Sequence, residues 1–313
     1  MKYILELDGG GIWGVGEATL LTECEREFKF SSANKFNLIA GSSTGAILGS
    51  CLSMGASAQA CKDIYVNKGK QLFQPRSKWN PFNWLKPKYD RQPILDELKR
   101  IYDSTQPAPR SSYAMRDCKT MFMCTSVSMI DERTHFFKSW EREAPIDCIA
   151  DASRDLVKTV GYSFAADYYF GAMVAPEERQ VWVDGGEGQD NCSLRHCLVE
   201  ALRQRWLPMD TVKILSLGCG YPKVGLSYEE ASSSGIIGQT KVYINLANRQ
   251  SATDQVLEVG SLSNVLNVEV LRLDVELPAA CNQIDAVSYI GYAVDTWTKL
   301  FKDNENKLIK FFI

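Results

Sequence analysis

The 313-residue chain predicts an α/β protein with a central, mostly parallel sheet and helices on both faces. Two consecutive strand, glycine turn, helix units point to it. A train of short apolar strands separated by helix-like stretches extends the same pattern.

The first unit opens with the apolar run "YILEL" (3–7), followed by Gly9, Gly10, Gly11 and Gly14. Val15, Ala18, Leu21, Cys24 and Phe28 then recur every three or four residues, as on a helix packed against a sheet. In the second unit, "FNLIA" (36–40) runs through "GSSTG" into the apolar helix "AILGSCLSM". Later strands are expected at 121–127, 134–140, 180–185, 212–218 and 268–277, with helix-like stretches at 145–157, 192–205, 253–266 and 286–302. There is no internal repeat, so one domain is expected over 1–313. The exception in composition is 73–94, which holds four of the eleven prolines and sets Trp79, Phe82, Trp84 and Tyr89 among basic residues including Lys86 and Lys88. It reads as an excursion from the sheet.

Composition narrows the function. With 35 basic and 38 acidic residues, the net charge of −3 provides no global field for nucleic acid, and any anionic surface must be met locally. The ten cysteines form no C-x-x-C pair and fall singly in apolar stretches, which suits reduced, buried thiols. Met1-Lys2 leads straight into the first strand without signal-peptide features, and no apolar run approaches the ~18 residues of a membrane span. A cytoplasmic protein is expected, with any membrane contact peripheral. No cluster shows metal-ligand spacing, so neither metal nor cofactor is expected.

The glycine run admits two chemistries. As G-x-G-x-x-G after a strand it fits a dinucleotide turn, but that site needs a ribose-binding carboxylate at the end of the second strand, where Ser42-Ser43 stand instead. As a row of backbone N–H groups it fits an oxyanion hole, with Gly10 and Gly11 as donors. "AGSSTGA" (40–46) favours the second. It places Ser43 in G-x-S-x-G, where side-chain-free Gly41 and Gly45 allow the tight strand-to-helix turn that exposes a nucleophile.

A serine hydroxyl needs a base. Asp184 ends the apolar strand "VWVD" and is followed by Gly185 and Gly186, an arrangement that delivers one desolvated carboxylate at the sheet edge. The order Ser43, Asp184, His196 also matches a hydrolase triad, although His196 lies in a charged helical stretch where a surface role is the simpler account.

Taken together, the Asp-Gly-Gly-Gly segment (Asp8 to Gly14), the elbow (Gly41 to Gly45) and the Asp-Gly-Gly segment followed by Asn191 make the chain resemble the patatin-like phospholipases. The resemblance implies a three-layer fold and Ca²⁺-independent lipid acyl hydrolysis by a Ser43–Asp184 dyad without a catalytic histidine. It further implies an oxyanion segment at Gly9, Gly10, Gly11 and Gly14, with Gly41, Gly45, Gly185 and Gly186 as supports. Three positions depart from the family pattern: Trp13 for a basic residue, Asp167 for a proline and Cys219 for a threonine. Such a lipase must meet a phospholipid surface, and 73–94 is expected either to form a lid or docking loop, with Trp79, Phe82, Trp84, Lys86 and Lys88 as contacts, or simply to cover a sheet edge. Resemblance to nucleotide-activated antiphage effectors implies a cyclic-nucleotide activator, which no motif locates, and self-association stays open. An acyltransferase using the same acyl-enzyme and a catalytically silent sensor are the alternatives.

Overall fold

The computed structural model describes residues 1–76, 86–140, 150–222, 229, 250–263, 265–278, 281 and 283–313. Its helices are α1 (Gly14–Phe28), α2 (Ser32–Lys35), α3 (Thr44–Met54), α4 (Ala58–Leu72), α5 (Gln92–Ser104), α6 (Leu156–Ser163), α7 (Leu194–Arg203) and α8 (Ile290–Phe312), with residues 250–262 also helical. The strands are β1 (Lys2–Leu7), β2 (Leu38–Gly41), β3 (Met121–Ser128), β4 (Arg133–Lys138), β5 (Met173–Ala175), β6 (Gln180–Asp184), β7 (Val212–Leu217), β8 (Tyr221–Pro222), β9 (Val268–Leu273) and β10 (Glu276–Leu277).

Strands β3, β2, β1, β7 and β9 run parallel in that order, each crossover carrying helix, as the two opening units predict. Strand alternation then divides the core into two layers of packing. On one face, Leu5, Leu7, Ile39, Leu215 and Leu217 bury against α1, α3, α4 and α8. On the other, Ile4, Leu38, Ala40 and Ile214 bury against α7 and helical 250–262. The result is the expected helix, sheet, helix stack.

The register of β3 brings the two chemically interesting strand ends together. Strand β4 pairs antiparallel along one edge from Met123 to Ser128, so β2 and β6 share the other edge end to end. Gly41 at the end of β2 faces Cys124, and Asp184 at the end of β6 faces Ser126. Two strand termini, 143 positions apart in sequence, therefore converge on a gap of one residue.

Several expected elements differ in extent. The helix expected over 145–157 is not formed at 150–155, where a 3₁₀ turn over Asp151–Ser153 leads to Asp155, which caps α6 by accepting the Lys158 N–H at 2.8 Å. The strand expected over 268–277 breaks at Asp274, whose carboxylate accepts from the N–H groups of Gly220 and Val275. Helices α4 and α5 were not among the expected stretches.

Candidate active site

Ser43 stands between β2 and α3 with φ 52° and ψ −118°, a backbone conformation costly for a residue with a side chain. The turn is locked from both sides. The Gly45 N–H donates to the Ser42 carbonyl at 2.7 Å, and a Cβ at Gly45 would lie 2.3 Å from the Leu7 carbonyl oxygen. The Ser43 N–H itself is held by Ser163 Oγ at 3.1 Å. The N-terminus of the fully buried α3 lies directly behind the hydroxyl.

Ser43 Oγ donates to Asp184 Oδ2 at 2.6 Å, while Asp184 Oδ1 accepts the Gly186 N–H at 2.7 Å. Asp184 is buried, and among the described residues no cation pairs with it. Burial pushes its carboxyl up to about 7, against the lowering effect of those two hydrogen bonds. The histidine alternative meets a different geometry. His196 stacks on Phe136 with ring centroids 3.5 Å apart, and its Nδ1 faces Asp190 at 3.9 Å. His135 faces Asp151. Both oxygens of Asp184 are thus engaged by Ser43 and Gly186 rather than by an imidazole.

The four glycines of the first turn divide by what their N–H groups do. Gly9 donates to the Asn191 carbonyl at 3.3 Å, and Gly14 donates back to the Gly11 and Ile12 carbonyls at the helix start. The Gly9 and Gly14 N–H groups are thus engaged within the chain. Gly10 and Gly11 have no N–H partner among the described residues. Asn191 also donates from Nδ2 to the Gly9 carbonyl at 3.0 Å, tying the Asp-Gly-Gly segment to the glycine turn. Gly41 and Gly185 are closely confined: a Cβ would lie 2.3 Å from Gly45 backbone in the first case and 2.0 Å from Thr125 Oγ1 in the second.

Beneath this turn lies a buried charge network. Arg272 donates to both oxygens of Asp8 at 3.0 and 2.6 Å and to Asp274 at 2.8 Å. Glu6, Ser216 and Arg272 occupy one cross-strand row of β1, β7 and β9, with Arg272 bonded to Ser216 Oγ at 2.9 Å. Burial and the neighbouring Asp8 raise the carboxyls of Glu6 and Glu17, and Glu17 accepts the Asp8 N–H at 3.0 Å. Glu6, Asp8 and Cys192 bring ligand atoms within 4.8 Å of one another, but Arg272 is the cation there.

An apolar pocket opens beside Ser43 and Asp184, walled by Ile47, Leu72, Phe73, Phe164, Phe170 and Ile284. Its apolar lining suits a hydrocarbon chain. The described ends of 73–94 flank it. Phe73 packs edge-on against Tyr89 and Phe170, and Arg91 holds the carbonyls of Gly171 and Ala172. Lys88, one of the expected lid or docking contacts, pairs with the buried Asp285. Lys86 is exposed, whereas Trp79, Phe82 and Trp84 lie outside the described residues.

The sheet and the strained elbow over it define an α/β protein of the kind that presents a serine beside a carboxylate at a parallel-sheet edge. The chain belongs to the patatin-like phospholipase family, whose model matches residues 5–191. It is 25% identical over 201 residues to a protein of Escherichia coli strain TW11681 named cGAMP-activated phospholipase, covering 61% of this chain and 53% of that one. A protein of the same name from Vibrio cholerae is 26% identical over 250 residues, covering 75% and 69%. The match to the first therefore spans about half that relative's length. Among solved structures, VipD from Legionella pneumophila is similar at a TM-score of 0.38 and 10% identity, over 94% of this chain and 67% of that one.

Proposed function

We propose that this chain hydrolyses the acyl esters of membrane phospholipids with Ser43 as nucleophile and Asp184 as base, without Ca²⁺. The observation that carries the reading is the 2.6 Å Ser43–Asp184 hydrogen bond at the wall of an apolar pocket. The family supplies the coarser class, a lipid hydrolase.

The residues account for each step. Asp184, whose carboxyl burial pushes up to about 7, takes the Ser43 proton in its ionised form as Oγ attacks the ester carbonyl. The developing oxyanion meets the Gly10 and Gly11 N–H groups, which cost no reorganisation because the turn is fixed by Asn191 and Arg272. Collapse expels the lysolipid alcohol, which leaves with the proton from Asp184. Water then attacks the acyl-enzyme, with Asp184 again taking the proton, and releases fatty acid and free Ser43. The hydrocarbon stays in the pocket throughout.

The reading extends to regulation. Two similar proteins bear the name cGAMP-activated phospholipase, which supports a cyclic nucleotide as activator here and a role in antiphage defence, with the active protein peripheral on the inner membrane face. No described helix is long and apolar enough to cross a membrane.

Release of fatty acid from mixed phospholipid vesicles, with and without a panel of cyclic di- and trinucleotides, tests both parts. Wild type and His196→Ala should release fatty acid, while Ser43→Ala and Asp184→Asn should not. Transfer of the acyl group to an added alcohol in preference to water would favour an acyltransferase, and release unaffected by Ser43→Ala would overturn the mechanism.

A further inference from the structure

The glycine turn is held not only from below but also from the side, by a stretch of chain far outside the family-matched residues 5–191. The Ile12 N–H donates to the Ile284 carbonyl at 2.7 Å, and the Trp13 indole Nε1–H donates to the Gln283 carbonyl at 3.0 Å. Gly11, immediately before them, has φ +62°, and a Cβ there would lie 2.3 Å from the Ile284 carbonyl oxygen. The approach is close enough that only glycine fits.

The same stretch reaches the pocket. Ile284 forms part of the wall that includes Ser43 and Asp184. The next residue, Asp285, is buried and accepts the Tyr89 hydroxyl at 2.6 Å while pairing with Lys88. Tyr89 packs on Phe73 and Phe170, two further walls of the pocket. The three residues thus link the oxyanion turn to the hydrocarbon wall.

We propose that residues 283–285 are a strap that fixes the oxyanion turn and sets the acyl-chain length accepted at Ser43, a role that rests on the acyl-hydrolase reading above. Ile284 is its specificity-determining residue, because it lines the apolar pocket together with Ser43 and Asp184. Trp13 and Asp285 are positioning residues: the first joins the strap to the turn, the second pins it to Lys88 and Tyr89. Loss of the Trp13 link should loosen the Gly10 and Gly11 donors, which matter only once charge develops on the substrate oxygen. Its signature is then a fall in kcat with KM nearly kept.

The test uses the full chain on soluble p-nitrophenyl esters of butyrate, octanoate and palmitate, with fluorophosphonate labelling of Ser43 in parallel. Ile284→Ala should raise the palmitate-to-octanoate ratio of kcat/KM about tenfold, and Ile284→Phe should lower it about tenfold. Trp13→Phe keeps a ring but removes the indole N–H, and should lower kcat on octanoate by about tenfold or more with KM within about twofold. If Trp13→Phe fails to fold, the two Ile284 variants still decide. An active wild type whose chain-length ratios do not move in either Ile284 variant overturns the strap alone. A wild type that turns over no ester and takes no fluorophosphonate at Ser43 overturns the acyl-hydrolase reading and the strap with it.

Discussion

Asp184 accepts the Ser43 hydroxyl at 2.6 Å from a buried position that no described cation shares. This relationship has consequences for both rate and stability, because the same burial that makes the carboxylate basic makes its charge costly.

The rate consequence is a pH profile. A base works only when ionised, so kcat/KM on a soluble ester should rise with pH and level off above an apparent pKa near 7, where burial places the Asp184 carboxyl. Initial rates across the range from pH 5 to pH 9 check this. An acid limb centred near the ordinary carboxylate value would mean that Asp184 does not gate the reaction.

The stability consequence has the opposite sign. The folded carboxyl binds its proton more tightly than the unfolded one, whose ordinary value is 3.8, so the contribution of Asp184 to stability falls as pH rises between about 4 and 7. Asp184→Asn removes the buried charge, while its amide oxygen can still accept the Gly186 N–H and its NH₂ can donate to Ser43 Oγ. Its stability relative to wild type should therefore increase with pH, by up to about 4 kcal/mol across that window. Urea unfolding at both ends of the window measures the difference.

The glycine turn predicts a second-site rescue. A Cβ on Gly10 would lie 2.4 Å from Cys219 Cβ, and the next atom beyond that side chain is Cys219 Cα at 3.8 Å. Gly10→Ala should therefore lower ester turnover by about a hundredfold through displacement of the oxyanion donors. Adding Cys219→Gly should recover much of it. Turnover of the single and double variants, with thermal melting to follow folding, checks the pair.

The buried network predicts unequal costs for charges that look alike in sequence. Glu17 is pushed well above the usual carboxylate range by burial and by Asp8, so its charge is disfavoured and Glu17→Gln should change stability by less than about 1 kcal/mol. Arg272 balances Asp8 and Asp274. Replacing it with Met strands both carboxylates and should cost about 3–5 kcal/mol. Denaturant midpoints of the two variants separate the cases.

Much of this site was legible in the sequence because its parts are local patterns. Each strand, glycine turn and helix start needs only neighbouring residues, so Ser43 at its elbow and Asp184 at a strand end could be read from "GSSTG" and "VWVDGG". Their convergence rests instead on the register of β3, which depends on β2, β4 and β6 competing for two edges. Arg272 was missed because its partner Asp8 is 264 positions away. The available signal was a short alternation, in which Arg272 and Asp274 fall between the apolar Leu271, Leu273 and Val275. The contacts of Gln283 and Ile284 with the glycine turn left no such trace, since backbone carbonyls make them and any residue supplies a carbonyl. Of the helix expected at 145–157, residues 145–149 lie outside the described residues, and over 150–157 it begins only at Leu156, because Asp155 is a capping residue whose side chain starts a helix rather than continuing one.

The most direct measurement is the rate and site of fluorophosphonate labelling, read by mass spectrometry of the intact chain and its peptides. The account predicts one adduct, on Ser43. Asp184→Asn should label slower by a factor on the order of a hundred to ten thousand, with His196→Ala labelling at the wild-type rate. An adduct on a different serine, or Asp184→Asn labelling as fast as wild type, would contradict it.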